Sequence, residues 1–101
     1  MQKTILDEVY ALLREIDAVH SESEFSVDWF GRSECYIRSL RFKRQLPSVS
    51  SVAICASKLQ YYGERLLKAQ QHTALSKKLL NLSQRCHCYI HAQSKNKWIH
   101  L

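Results

Sequence analysis

The sequence predicts an all-α domain of five helices, and three observations carry that reading. The 101 residues include only two glycines and one proline, too few turn residues for the tight hairpins of a sheet. Apolar residues recur at helical spacing along most of the chain. Two later stretches step 4, 3, 4, 3 through their apolar or small positions, as two helices packed in a long antiparallel hairpin would. With 46% of residues apolar, a chain of this length makes one domain with a modest core. That domain is expected over residues 1–94, with 95–101 as a C-terminal tail.

The first helix is read from "TILDEVYALLREIDAVH", with apolar residues at 5, 6, 9, 12, 13 and 16. Thr4 is its cap, and Asp7 and Glu8 suit the positive end of its dipole. Ser21 and Glu24 have the S-x-x-E spacing of a capping box and start a second helix, about 22–30. Phe25 and Trp29 lie one turn apart on it, and Gly31 ends it, since glycine accepts the left-handed conformation at a helix end. Ser33 is expected to cap a third helix, with Ile37 and Leu40 on its inner face and Phe42 near its end. The basic loop "KRQL" leads to Pro47, and Ser48 caps a fourth helix. Its seam, Val52, Ala56, Leu59, Gly63 and Leu66, carries it to about Ala69. Around "QQHT" the pattern breaks, and Thr73 is expected to cap a fifth helix with a seam of Leu75, Leu79, Leu82, Cys86 and Tyr89. In the resulting hairpin Gly63 should lie near Leu82.

Net charge is +6, but it is unevenly spread. Residues 1–28 hold two bases and seven acids, a net of −5, and residues 29–101 hold thirteen bases and two acids, a net of +11. Such a split predicts an acidic face and a basic face, and a basic face is the usual electrostatic footprint for a phosphate backbone.

The basic residues concentrate around "GRSECYIRSLRFKRQLPS", residues 31–48. A short helix, a glycine turn, a capped helix and a basic loop before a proline-led helix make a helix-turn-helix plan, formed by helices 2 and 3. From Ser33 through Ile37, Leu40, Pro47, Ser48, Val52 and Ala56 to Leu59, the spacing resembles the phage-repressor-like (XRE-type) helix-turn-helix family over about residues 22–60. The resemblance implies that Ser33 opens a recognition helix, about 33–42, that Ile37 and Leu40 are buried, and that Pro47-Ser48 starts the next helix. The chain departs from that family at Lys43, where glycine is usual, and in "SEFSVDWF", where a Gln-rich Leu-Ala segment is usual. The whole chain also resembles a bacterial family of short proteins with a D-W-[LF]-G-[RK]-S core, here Asp28 to Ser33. That second resemblance implies no function.

A recognition helix lies in the major groove with its N-terminal residues at base edges. The candidates for base contact are therefore Glu34, Cys35 and Arg38: arginine pairs bidentately with guanine, and glutamate accepts from the cytosine amino group. Arg32, Arg41, Lys43 and Arg44 flank the helix as phosphate candidates. The tail ends in "KWIHL", and Trp98, Ile99 and Leu101 are candidates for a homodimer contact that would present two recognition helices.

Other chemistries find little support. "CHCYIH" with His100 has a two-residue Cys86–Cys88 spacing, which a helix splits between faces, whereas structural zinc prefers C-x₂₋₄-C pairs. No metal and no cofactor is expected. Cys35 and Cys55 look isolated, as small buried or half-buried residues. No nucleophile, base and orienting group come together, and no Gly-rich phosphate loop or nucleophile elbow occurs, so an enzyme is not expected. No apolar run reaches membrane-spanning length, and "MQKTILDEVY" has acids where a signal peptide would be apolar. The expected place is the cytoplasm, where the four cysteines stay reduced. The expected function is that of a small bacterial or mobile-element transcriptional regulator that binds double-stranded DNA. The alternative is a helical protein-interaction module, such as an inhibitor or anti-regulator, whose acidic first helix favours a basic protein partner.

Overall fold

A computed structural model describes residues 4–99. Five helices follow in the order α1 (Ile5–Glu15), α2 (Glu22–Phe30), α3 (Tyr36–Lys43), α4 (Val49–Lys68) and α5 (Thr73–Trp98). No strand occurs among the described residues, and no described helix is long and apolar enough to cross a membrane.

Thr4 and Asp7 cap α1 reciprocally: the Thr4 hydroxyl accepts from the Asp7 N–H at 3.3 Å, and the Asp7 carboxylate accepts from the Thr4 N–H at 2.9 Å. The apolar stripe predicts a longer helix than the one found. Asp17 turns left-handed, with φ 61°, and the Ala18 N–H returns to the Leu13 carbonyl at 2.8 Å. That is a Schellman ending without glycine, and it leaves Ile16 exposed while Val19 enters the core. At α2, Ser21 caps the Glu24 N–H at 3.1 Å, but the Glu24 carboxylate takes the N–H of His20 rather than of Ser21. Only half of the expected capping box forms. Gly31 is left-handed, with φ 63°, as expected.

Ser33 does not cap α3. Its carbonyl accepts from Tyr36 at 3.0 Å in a tight turn, and the helix starts at Tyr36 after Cys35, with no side-chain cap. Ser48 does cap α4, through the Ser51 N–H at 3.3 Å. Thr73 is the first residue of α5 rather than its cap, and His72 holds the cap position in a left-handed conformation, φ 49°. The last helix then runs through residues 95–98, where the periodicity suggests a tail.

The α4–α5 hairpin is the main packing unit. Val52, Ala56, Leu59 and Gly63 are buried on α4 against Leu79, Leu82 and Cys86 on α5. Its register is set by two serines that the apolar pattern does not count. The Ser76 hydroxyl donates to the Gly63 carbonyl at 2.7 Å, and the Ser83 hydroxyl donates to the Ala56 carbonyl at 2.8 Å. Seven residues separate each pair along its helix, so both contacts repeat every two turns. Gly63 accordingly faces Ser76 and Leu80 rather than Leu82. A Cβ added there would stand 2.8 Å from the Leu80 side chain, closer than packed carbons approach.

Cys55 and Cys86 meet in the hairpin core, both fully buried and both reduced. Cys55 is therefore not isolated: its hydrogen bond with Cys86, together with burial, pushes its thiol pKa up. Cys35, expected to be at least half-buried, is exposed. Helix α1 packs on α5, tied by the Arg85–Glu8 ion pair, one of whose two hydrogen bonds is 2.9 Å long. Helix α2 packs on α3 and α4 and brings Phe25 and Phe30 together edge to face, centroids 4.8 Å apart.

The α4–α5 link holds two non-glycine residues in the left-handed region, Gln70 at φ 54° and His72 at φ 49°. An L side chain there costs about 1 kcal/mol or more, and glycine avoids that clash. Gln70→Gly should raise stability by about 0.5–1 kcal/mol, less any loss from greater freedom in the unfolded chain. The check is a higher urea midpoint at unchanged slope; a lower midpoint would show that the strain at Gln70 is smaller than the freedom glycine adds to the unfolded chain.

Candidate nucleic-acid interface

The α2–turn–α3 unit is built from the run Asp28-Trp29-Phe30-Gly31-Arg32-Ser33, and most of these residues are engaged in structure. The Asp28 carbonyl accepts from Lys58 on α4 at 2.8 Å. Trp29 and Phe30 are buried, Gly31 makes the left-handed exit from α2, and the Ser33 carbonyl sets the turn before α3. Arg32 reaches back to the start of α4, donating from Nε to Ser51 at 2.7 Å and from its terminal nitrogen to Ser48 at 3.0 Å. It also lies over the Tyr36 ring, 5.2 Å from the centroid.

Three further contacts hold α3 in place. Buried Ser26 on α2 accepts from the Ile37 N–H at 3.2 Å while donating to the Glu22 carbonyl at 2.8 Å. The Tyr36 hydroxyl accepts from the Ser48 N–H at 3.1 Å, and the Tyr89 hydroxyl donates to the Pro47 carbonyl at 2.7 Å. Burial opposes ionisation of Tyr36, but hydrogen bonding with Ser51 and Ser48 and the Arg32 charge outweigh it, so its pKa lies below the ordinary phenol value. Ser26, Tyr36 and Tyr89 carry no sequence signal beyond being polar-tipped residues on apolar faces.

This scaffold divides the candidate residues. Arg32 is a staple between the turn and α4, its guanidinium already engaged by Ser51 and Ser48. Arg41 pairs with Glu22 through both terminal nitrogens, one of them at 3.1 Å. The hydrogen bond to Glu22 raises its pKa further, and that counter-charge already occupies the guanidinium. Glu34 and Cys35 stand in the turn ahead of α3 rather than on its first helical turn. Arg38 is exposed, with one terminal nitrogen 3.3 Å from Cys35 Sγ. Lys43 and Arg44 are exposed, and neither is in an ion pair among the described residues. Arg44 ends α3 in a left-handed conformation, φ 54°, so this is where the chain turns.

Helix α3 thus buries Ile37 and leaves Arg38, Arg41, Phe42 and Lys43 outward. Phe42 is 87% exposed and Leu46 is 61% exposed, an apolar tip beside the basic residues that the helical pattern does not announce. Of the dimer candidates, Trp98 and Ile99 are more than half exposed at the end of α5, and Leu101 lies outside the described residues. No group of three metal-ligating side chains occurs among the described residues. A model described as a family of unknown function (DUF6626) matches residues 6–99. No curated protein and no solved structure matches the chain.

Proposed function

We propose, for a chain that belongs to this family of unknown function, that it binds double-stranded DNA through α3 as a small transcriptional regulator. The observation that carries the reading is the outer face of α3. Arg38, Lys43 and Arg44 are exposed without a paired acid among the described residues, on a helix pinned from beneath by Ser26 and Tyr36. On DNA of any sequence a rigid, outward, basic helix can hold phosphates with Arg38, Lys43 and Arg44, and on a cognate site it can turn Arg38 to a base edge instead. Glu34 and Cys35, in the preceding turn, would border the groove rather than enter it first. A homodimer joined through Trp98 and Ile99 would present two such helices to successive major grooves.

The test is fluorescence anisotropy of a labelled random duplex against salt concentration. Three phosphate contacts predict a log–log slope of about −2.7, since each contributes about −0.9. No binding at about 50 mM salt, or a flat salt response, would remove the proposal.

The exposed Phe42 and Leu46 favour a second reading, in which the tip of α3 enters an apolar pocket on a protein partner. In that case Phe42→Ser abolishes partner binding and leaves the salt slope on DNA unchanged.

A further inference from the structure

On the side of the bundle lined by α1, α2, α4 and α5, a cleft of about 480 Å³ opens to solvent. This lies within the size range of small-molecule sites, which are mostly apolar with a few placed polar groups. Its floor is Leu13 of α1 with Leu75 and Leu79 of α5. Trp29 and Tyr62 form an aromatic wall, their centroids 5.9 Å apart.

Two cations border this apolar space. The Lys58 ammonium sits 4.5 Å from the centre of the Trp29 ring and 5.9 Å from that of Tyr62. It donates to the Asp28 carbonyl at 2.8 Å, which leaves it further donor capacity. The Arg65 guanidinium donates to the Tyr61 hydroxyl at 2.7 Å and lies over that ring. Among the described residues neither cation is paired with a carboxylate. Asp28 is the single acid on the cleft, so the lining carries two positive charges and one negative.

We infer that this cleft binds a compact aromatic monocarboxylate, with its ring on the leucine floor against Trp29 and Tyr62 and its carboxylate between Lys58 and Arg65. The charge balance selects a monoanion, because a second negative charge would face Asp28 without a cation of its own. The aromatic wall selects a flat body. A half-buried ammonium beside apolar walls interacts with a carboxylate more strongly than one in water does. The site is independent of the α3 face and requires no DNA.

The probe is 2-naphthoate, titrated into the full-length Trp98→Phe protein so that Trp29 is the remaining tryptophan. Binding is read by Trp29 fluorescence and by calorimetry, with 2-naphthalenemethanol as the neutral counterpart. Saturable binding of naphthoate is expected, with the alcohol at least about tenfold weaker, the loss of one charge-assisted hydrogen bond. Arg65→Met, at an exposed position, should weaken naphthoate about tenfold and leave the alcohol unchanged; Lys58→Met should do the same. Leu75→Trp, which fills the floor, should abolish both while the helical circular dichroism is retained. The inference is overturned if naphthoate does not saturate at low millimolar concentration. It is equally overturned if the alcohol binds as tightly, or if Arg65→Met leaves naphthoate affinity unchanged.

Discussion

Replacing Arg38, Lys43 and Arg44 together by alanine should lower affinity for duplex DNA by about two to three decades at 0.1 M salt and flatten the log–log salt slope by about 2.7. The size of the effect follows from counterion release, in which each lost phosphate contact removes about 0.9 from the slope. The fold should survive, because none of the three side chains is buried or ion-paired among the described residues. Arg41→Ala is the informative contrast. Its guanidinium is held by Glu22, so its removal should leave the slope nearly unchanged and cost at most about 1 kcal/mol of stability, the scale of a largely exposed pair. If the triple variant kept the wild-type slope, or if Arg41→Ala reproduced its loss, α3 would not be the DNA-binding face. On random DNA the three residues should act alike. On a cognate site Arg38→Ala should in addition relax preference at one base step, by about 1–3 kcal/mol.

Phe30→Ala should have the largest effect on stability, a loss of about 3–5 kcal/mol. Phe30 is fully buried. It stacks edge to face on Phe25 and meets the Tyr36 ring at 6.1 Å, so it joins α2 to the start of α3. The cavity left by its ring cannot close without moving the Gly31 turn. Domains of this size hold only about 5–15 kcal/mol in total, so the variant should unfold at a markedly lower urea midpoint with little change in slope. A loss under about 1 kcal/mol would mean that the α2–α3 junction repacks freely, which the Ser26–Ile37 and Tyr36–Ser48 hydrogen bonds oppose.

Much of the architecture was legible because helical periodicity and caps are local. The seams through Val52, Ala56 and Leu59 and through Leu79, Leu82 and Cys86 are buried as their spacing predicts. Thr4, Ser21 and Ser48 cap as expected. Ser33 and Thr73 fail as caps: the Ser33 carbonyl closes a tight turn with Tyr36, and a left-handed His72 holds the cap position ahead of Thr73. The candidate interface was legible as a cluster of bases but not in its division. Nothing local distinguishes Arg32 and Arg41 from Lys43 and Arg44. The first two are engaged by Ser48, Ser51 and Glu22, which lie sixteen to nineteen residues away in sequence.

The sequence by itself determined the uneven charge, which is a matter of composition, and the helical class, the helix count and the left-handed exit at Gly31, because each of these depends on residues within one or two turns of one another. Only the tertiary structure decided the rest. The hairpin register rests on Ser76 and Ser83 meeting carbonyls on the opposite helix, and Cys55 finds Cys86 through that same register. The cleft beneath Lys58 and Arg65 draws its walls from four helices. Hydrogen bonds and cavities of this kind join residues far apart in the chain, and side-chain type along a sequence does not record which distant partner a polar atom will meet.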